Sequence, residues 1–211
     1  MSATGVQLDP YLAKAQNDNV TPSQKIEGTY PLPGAQTGML TTRAQDGHLH
    51  SRAMTPAGRE PFLAYRSQPT KSTSSSSPTT ASPKFKELQN DSHANVSFFD
   101  TSTTNWASFS GIARVIDDRS VIKKYWSSCI GPYFGDLGDG IHKGDENDPR
   151  VAAIEVIPDE VRYWLATSGE ISSGVQEVAS RTQGTVAVTG ELRTITKQEI
   201  QLVQGLGAKL T

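Results

Sequence analysis

One cysteine, Cys129, stands in 211 residues, and a single thiol excludes both an internal disulfide and a thiolate metal cage. Its neighbours Trp126, Ile130 and Tyr133 point to a half-buried structural thiol, with no histidine or asparagine placed by sequence to activate it. No run of 18 apolar residues occurs, so no membrane-spanning helix is expected. The segment from Met1 to Gln16 has neither a basic start nor an apolar stretch, so it does not read as a secretory leader. The chain is therefore expected to be cytoplasmic, and the sequons at Asn19 and Asn95 carry no weight. An excess of positive charge is missing too: 20 Lys and Arg face 22 Asp and Glu, for a net charge of -2. That balance excludes a protein built chiefly to neutralise a nucleic-acid backbone. A small anionic ligand is still allowed, since it needs only two or three cations held together.

What is present fits one well-buried core with some solvated decoration: hydrophobic residues make up 35% and charged residues 20%. Residues 1–35 read as an N-terminal helical arm. Asp9-Pro10 and Thr21-Pro22 each pair a good N-cap with proline at the first helical position, and Tyr30-Pro31-Leu32-Pro33-Gly34 stops any helix. Residues 36–211 then read as one β-rich domain. Met39–Arg43 and His48–Met54 flank Asp46-Gly47, a hairpin signal. Phe62–Arg66, His93–Phe99 and Trp106–Ile116 read as further strands. Val151–Ala166 reads as a long sixth, with a bulge or corner at Pro158-Asp159. Short antiparallel strands with few helices between them point to a barrel rather than a βαβ sheet.

Helices interrupt that pattern. Ser82-Pro83 starts one that carries Phe85 and Leu88 a turn apart, and Asp117-Asp118 caps a segment whose Val121, Ile122, Tyr125 and Trp126 form one apolar face. Thr196 and Glu199 have the spacing of a capping box, with Ile195 and Ile200 placed as its hydrophobic staple. Residues 69–81 contain only Ser, Thr and Pro besides one Lys and one Ala, so this insertion is expected to stay out of any core and to be disordered.

The most informative position is the start of the Ser82 helix. A helix N-terminus offers backbone N–H groups and the positive end of the dipole, both of which favour a phosphate. Ser82 adds a hydroxyl, Lys84 a cation, and Arg52 on the second strand a second cation. On spacing alone, an ordinary capped helix with a solvated lysine accounts for the same residues. His48 and His50 share a strand face and make half a metal site without an evident third ligand. The acidic stretch from Gly135 to Asp148 lacks EF-hand spacing and reads as a solvated loop. Gly135, Gly138 and Gly140 follow no strand and open no helix, so they are not a dinucleotide fingerprint. Trp126, Tyr133 and Phe134 read as core or interface aromatics.

Taken in order, several segments resemble the FMN-binding split-barrel superfamily typified by pyridoxamine 5'-phosphate oxidase. They are Gly38–Arg43, Leu49–Met54, Ser82–Leu88, Val96-Ser97-Phe98, Trp106–Gly111, Tyr133-Phe134-Gly135, Asn147-Asp148-Pro149 and Glu155 through Trp164. The resemblance spans about residues 20–210. It falls in the general stress protein branch, where it is similar to fungal blue-light-inducible proteins. It implies a mainly-β, six-stranded antiparallel split barrel with a few peripheral helices, forming a homodimer with FMN between the subunits. FAD, a deazaflavin and haem are the other cofactors such barrels accept. On the matching positions Ser51, Arg52, Ala53 and Met54 would run along the flavin, with Arg52 near its phosphate. Tyr65 and Ser67 would line the third-strand side, Ser82 and Lys84 would hold the phosphate, and Trp106 would reach over from the partner.

Two departures accompany the resemblance. Pro83 stands where relatives often carry a residue with a backbone donor, and the Ser/Thr-rich insertion immediately precedes the phosphate helix. After residue 166 there is no Arg-x-His element like the one with which the vitamin-processing oxidases grip their substrate, so oxidation of pyridoxamine phosphate is not expected. The expected function is an FMN-dependent oxidoreductase linked to stress or light response, with an unidentified small-molecule substrate or electron donor. The alternative is a flavin-binding carrier or redox regulator without turnover. Flavin hydride transfer needs no protein acid, so the scarcity of acid–base side chains on the expected flavin strands leaves both readings open. A barrel for single-stranded nucleic acid is disfavoured by the acidic balance.

Overall fold

The computed structural model describes residues 20–27, 37–60, 64–67, 82–126, 131–166 and 190–207. The Asp9-Pro10 helix start, the insertion at 69–81 and Cys129 lie outside them. In chain order the elements are α1 (Pro22–Glu27), β1 (Gly38–Arg43), β2 (Leu49–Met54), β3 (Pro56–Glu60), β4 (Ala64–Ser67), α2 (Pro83–Asn90), β5 (His93–Phe99) and β6 (Trp106–Ile116). There follow α3 (Arg119–Tyr125), α4 (Gly131–Phe134), β7 (Ala153–Ala166), β8 (Gly190–Ile195) and α5 (Lys197–Gly207). The chain is mainly β, as its pattern implies. The six expected strands are all present, the third as Ala64–Ser67. Two more join them among the described residues: β3 and β8. β3 contains Pro56 and Gly58, residues that strands disfavour, and its register on β4 shifts between those two residues, which is how a strand tolerates them.

The contacts divide the chain into two units: Met1–Gly34 with Phe99–Ala107 and Val161–Thr211, and Ala35–Phe98 with Ser108–Glu160. In the second unit the strands run β2-β1-β5-β6-β7-β4-β3. The hairpin predicted at Asp46-Gly47 sets the register of β1 on β2. Gly47 takes φ 89°, Ala44 N–H donates to His48 C=O, and Gly47 N–H donates to Ala44 C=O, a short loop closed by a left-handed glycine. Leu40 consequently pairs with both Arg52 and Val96, and Thr42 with both His50 and Ala94. Leu40 and Val96 are fully buried on strands whose burial alternates, the period-2 pattern of a sheet with one face on the core, whereas Ala153 to Val156 of β7 are buried on both faces. A smaller cluster joins Ile122, Phe134 and Val151, with Trp126 packed against it. Asp118 caps α3, accepting from Ser120 N–H.

The loop before β7 departs from the solvated loop expected at 135–148. Asp136, Asp139 and Asp145 do accept from backbone N–H groups two residues on, the local turns that Asp favours. Asp148, however, is buried and takes a bidentate pair from Arg150, at 3.0 and 2.7 Å. Arg150 also donates to the carbonyls of Phe134 and Gly135.

In the first unit the second half of β7 pairs with β8, Val161 against Ile195 through Ala166 against Gly190. Its first half, Ile154 to Val156, pairs with β4. Pro158-Asp159 lies between the two pairings, the place in a strand where proline is tolerated. The capping box forms as expected: Thr196 N–H donates to Glu199 and Glu199 N–H to Thr196 Oγ1. Ile195 and Ile200 are buried beside it. Thr21 and Gln24 make a second box on α1, and Lys25 of that helix pairs with Glu199 at 2.8 Å.

Candidate functional site

The hairpin register places Thr42, His50 and Arg52 on one face of β1 and β2, because directly paired residues of an antiparallel ladder share a face and so do residues two apart. Helix α2 meets that face. Phe85 and Leu88 anchor it in the core, and Lys84 and Glu87, three residues apart, lie along one side of the helix. Arg52 Nη1 donates to Thr42 Oγ1 at 2.6 Å, and Nη2 donates to Glu87 Oε2 at 2.8 Å. Thr42 donates its hydroxyl to the same Glu87 oxygen. The other carboxylate oxygen, Oε1, lies 2.7 Å from His50 Nδ1. Glu87 is 7% exposed and Thr42 1%. Burial alone would raise the Glu87 pKa, but hydrogen bonds from Thr42, His50 and Arg52 outweigh it and hold the carboxyl below its ordinary value.

Lys84 is the unusual member. It is 2% exposed, and its ammonium donates to Ser82 Oγ at 3.1 Å and lies 4.8 Å from the Phe85 ring centroid. Burial, then repulsion from Arg52, lower its pKa from 10.5 to about 8 against the opposing pull of Glu87. The solvated lysine of the simpler reading is therefore absent. Ser82 does occupy the N-cap of α2, with φ -115° and ψ 135°, but its side chain makes no cap bond. It serves the charged amine instead, a stronger donor than a neutral N–H, while Pro83 at the first helical position has no N–H to satisfy. Two cations and one carboxylate are thus drawn together at a helix start, leaving a net positive charge.

The other expected site residues distribute as follows. Ser51 and Ala53 are exposed on the face of β2 opposite Arg52 and Met54, and Ser51 Oγ accepts from Thr41. Met54 is 2% exposed and belongs to the core. The side chains of Ser51, Arg52, Ala53 and Met54 are therefore not all brought to one surface. Tyr65 and Ser67 lie in β4, opposite Val156 and Ile154 of β7. Trp106 opens β6 and belongs to the first unit, whereas Arg52, Ser82 and Lys84 belong to the second. His48 meets Asp46 at 3.1 Å and His50 meets Glu87, so the two histidines go to different partners. No group of three or more potential metal ligands occurs among the described residues. Sequence reasoning missed Thr42 and Glu87. Both were within reach of it, Thr42 by its register opposite His50 and Glu87 by its helical spacing from Lys84.

Fold and site together define a mainly-β antiparallel split barrel with peripheral helices and a cationic cluster at one helix start. The chain belongs to the pyridoxamine 5'-phosphate oxidase-like family, whose model matches residues 29–187. It is 32% identical over 198 residues to protein bli-3 of Neurospora crassa, covering 92% of this chain and 90% of that one. Among solved structures it is similar to a candidate general stress protein 26 from Jannaschia sp., with a TM-score of 0.57 and 18% identity over 82% of this chain and 96% of the other. A protein related to general stress protein 26 of B. subtilis, from Clostridium acetobutylicum, gives a TM-score of 0.53 and 16% identity over 69% and 91%. No helix among the described residues is long and apolar enough to cross a membrane.

Proposed function

We propose that this protein binds FMN, with the flavin's terminal phosphate at the start of α2 between Lys84, Ser82 and Arg52, and that it works as a cytoplasmic homodimer in flavin redox chemistry. The observation that carries the reading is the buried Lys84 ammonium beside the Arg52 guanidinium. Burial first and repulsion from Arg52 second lower the Lys84 pKa, and an anion bound between the two cations relieves that repulsion. The α2 dipole adds to the same attraction. Membership of an oxidase-like family supports a flavin over other phosphate-bearing ligands. On this reading the flavin supplies hydride transfer when bound, and the chain supplies phosphate binding and orientation.

FMN and riboflavin differ only in the phosphate, so a titration of both tests the site directly. FMN should bind at least about tenfold more tightly, the worth of one charge-assisted hydrogen bond. Equal dissociation constants would overturn the phosphate assignment. Anaerobic bleaching of the bound flavin by NADH or NADPH at a catalytic rate would mark an oxidoreductase, and its absence a carrier or regulator.

A further inference from the structure

We infer that Glu87 is the positioning residue of this phosphate site: it holds Arg52 in place for an anion that its own charge repels. The inference rests on the phosphate reading above and goes beyond it. A carboxylate beside a phosphate is, by charge alone, a liability. Yet Glu87 is buried, it is held ionised, and each of its oxygens is engaged, one by Arg52 and Thr42 and the other by His50. Its place on α2 is fixed by Phe85 and Leu88 in the core, so it is a stationary point against which the longer arginine side chain can be set.

The geometry shows how. A guanidinium has five N–H donors in one plane. Glu87 takes one from Nη2 and Thr42 takes one from Nη1, and two contacts on separate nitrogens fix both the position of the plane and its rotation. Three donors remain for a ligand among the described residues. Without Glu87, Arg52 has one hydroxyl to hold it and a long flexible stem, so ordering it would be charged to ligand binding. Lys84, three residues back on the same helix, is set by the same backbone, which makes the spacing between the two cations a property of Glu87 and α2 together.

Charge and positioning predict opposite signs, which makes the inference testable. If Glu87 only lowers the local potential, Glu87→Gln strengthens FMN binding. If Glu87 positions Arg52, the variant weakens it, because a neutral amide replaces the carboxylate that oriented Arg52, Thr42 and His50. The experiment is a fluorescence titration of the full-length protein and of Glu87→Gln with FMN and with riboflavin. The preference for FMN over riboflavin should fall at least tenfold in the variant, while riboflavin affinity stays within about twofold. The riboflavin arm reports general damage, which would lower both affinities together. Should Glu87→Gln fail to fold, Thr42→Val, which puts a methyl group where the shared hydroxyl donates and accepts, should lower the same preference by a smaller factor. An unchanged or increased preference for FMN in the folded variant overturns the inference and leaves the phosphate reading standing. Equal FMN and riboflavin affinities in the unaltered protein overturn both.

Discussion

Lys84 illustrates how much one side chain's surroundings change its chemistry. On a solvated helix its amine would stay charged far above neutral pH. Buried beside Arg52 it gives up its proton near pH 8. On the proposed assignment FMN's phosphate would select the charged amine and riboflavin would not, so the preference for FMN should decline as pH rises through about 8, by at most about tenfold per unit. Titrations of both ligands at about pH 7 and about pH 9 check this, and a pH-independent ratio would remove Lys84 from the site. The sign for folding is the reverse. The folded pKa lies below the unfolded 10.5, so the unfolded chain binds more protons between about 8 and 10.5, and the ligand-free protein gains stability as pH rises across that window. The residues themselves were legible in the sequence, since a serine, a lysine and an arginine near a helix start already suggested an anion. That Lys84 is buried was not legible, because burial depends on which face α2 turns to the sheet.

At the scale of elements, the strands and their ends follow local rules, and the exceptions are close approaches of backbone. The capping box at Thr196, the caps at Thr21 and Asp118 and the left-handed Gly47 all form where the sequence placed them. Gly111 is different, for nothing in its neighbourhood of β6 requires a glycine. In the folded chain a Cβ at that position would stand 2.0 Å from the carbonyl oxygen of Ile157 and 2.7 Å from the Cα of Pro158. Neither atom belongs to a flexible side chain, so the strands themselves would have to move. Gly111→Ala should therefore destabilise by about 2–3 kcal/mol, the upper range for overpacking, and lower the midpoint of denaturant unfolding accordingly. An unchanged midpoint would mean that β7 bends differently at Pro158.

For the whole molecule the open matter is assembly. Trp126, Tyr133 and Phe134 read from the sequence as core or interface aromatics, and the structure separates the two kinds. Phe134 is in the core with Trp126 against it, and Phe98 and Phe109 pack edge to face at 6.1 Å. Tyr133, Leu137 and Ile141 remain exposed and are the apolar side chains of that region still available to a partner. A second copy related by a twofold axis is the commonest such partner, and a flavin touched by both copies would tie binding to assembly by mass action. Trp106→Ala should then weaken flavin retention and promote dissociation on dilution. Light scattering at low micromolar concentration checks the point: a monomer that retains flavin normally would rule out a shared site.

The sequence by itself determined the mainly-β class, the hairpin at Asp46-Gly47, the helix caps and three members of the cationic cluster. Each of these is written in residues close together in the chain, where periodicity, turn geometry and capping act directly. Only the tertiary structure decided that Glu87 and Thr42 join that cluster, that Asp148 is clamped by Arg150, that Met54 is core, and that β3 and β8 are strands. A hydrogen bond between Arg52 and Glu87 spans 35 residues, and no local pattern reports it. It exists because a sheet register and a helix face bring the two side chains together, and the free energy of a buried charge then demands a partner.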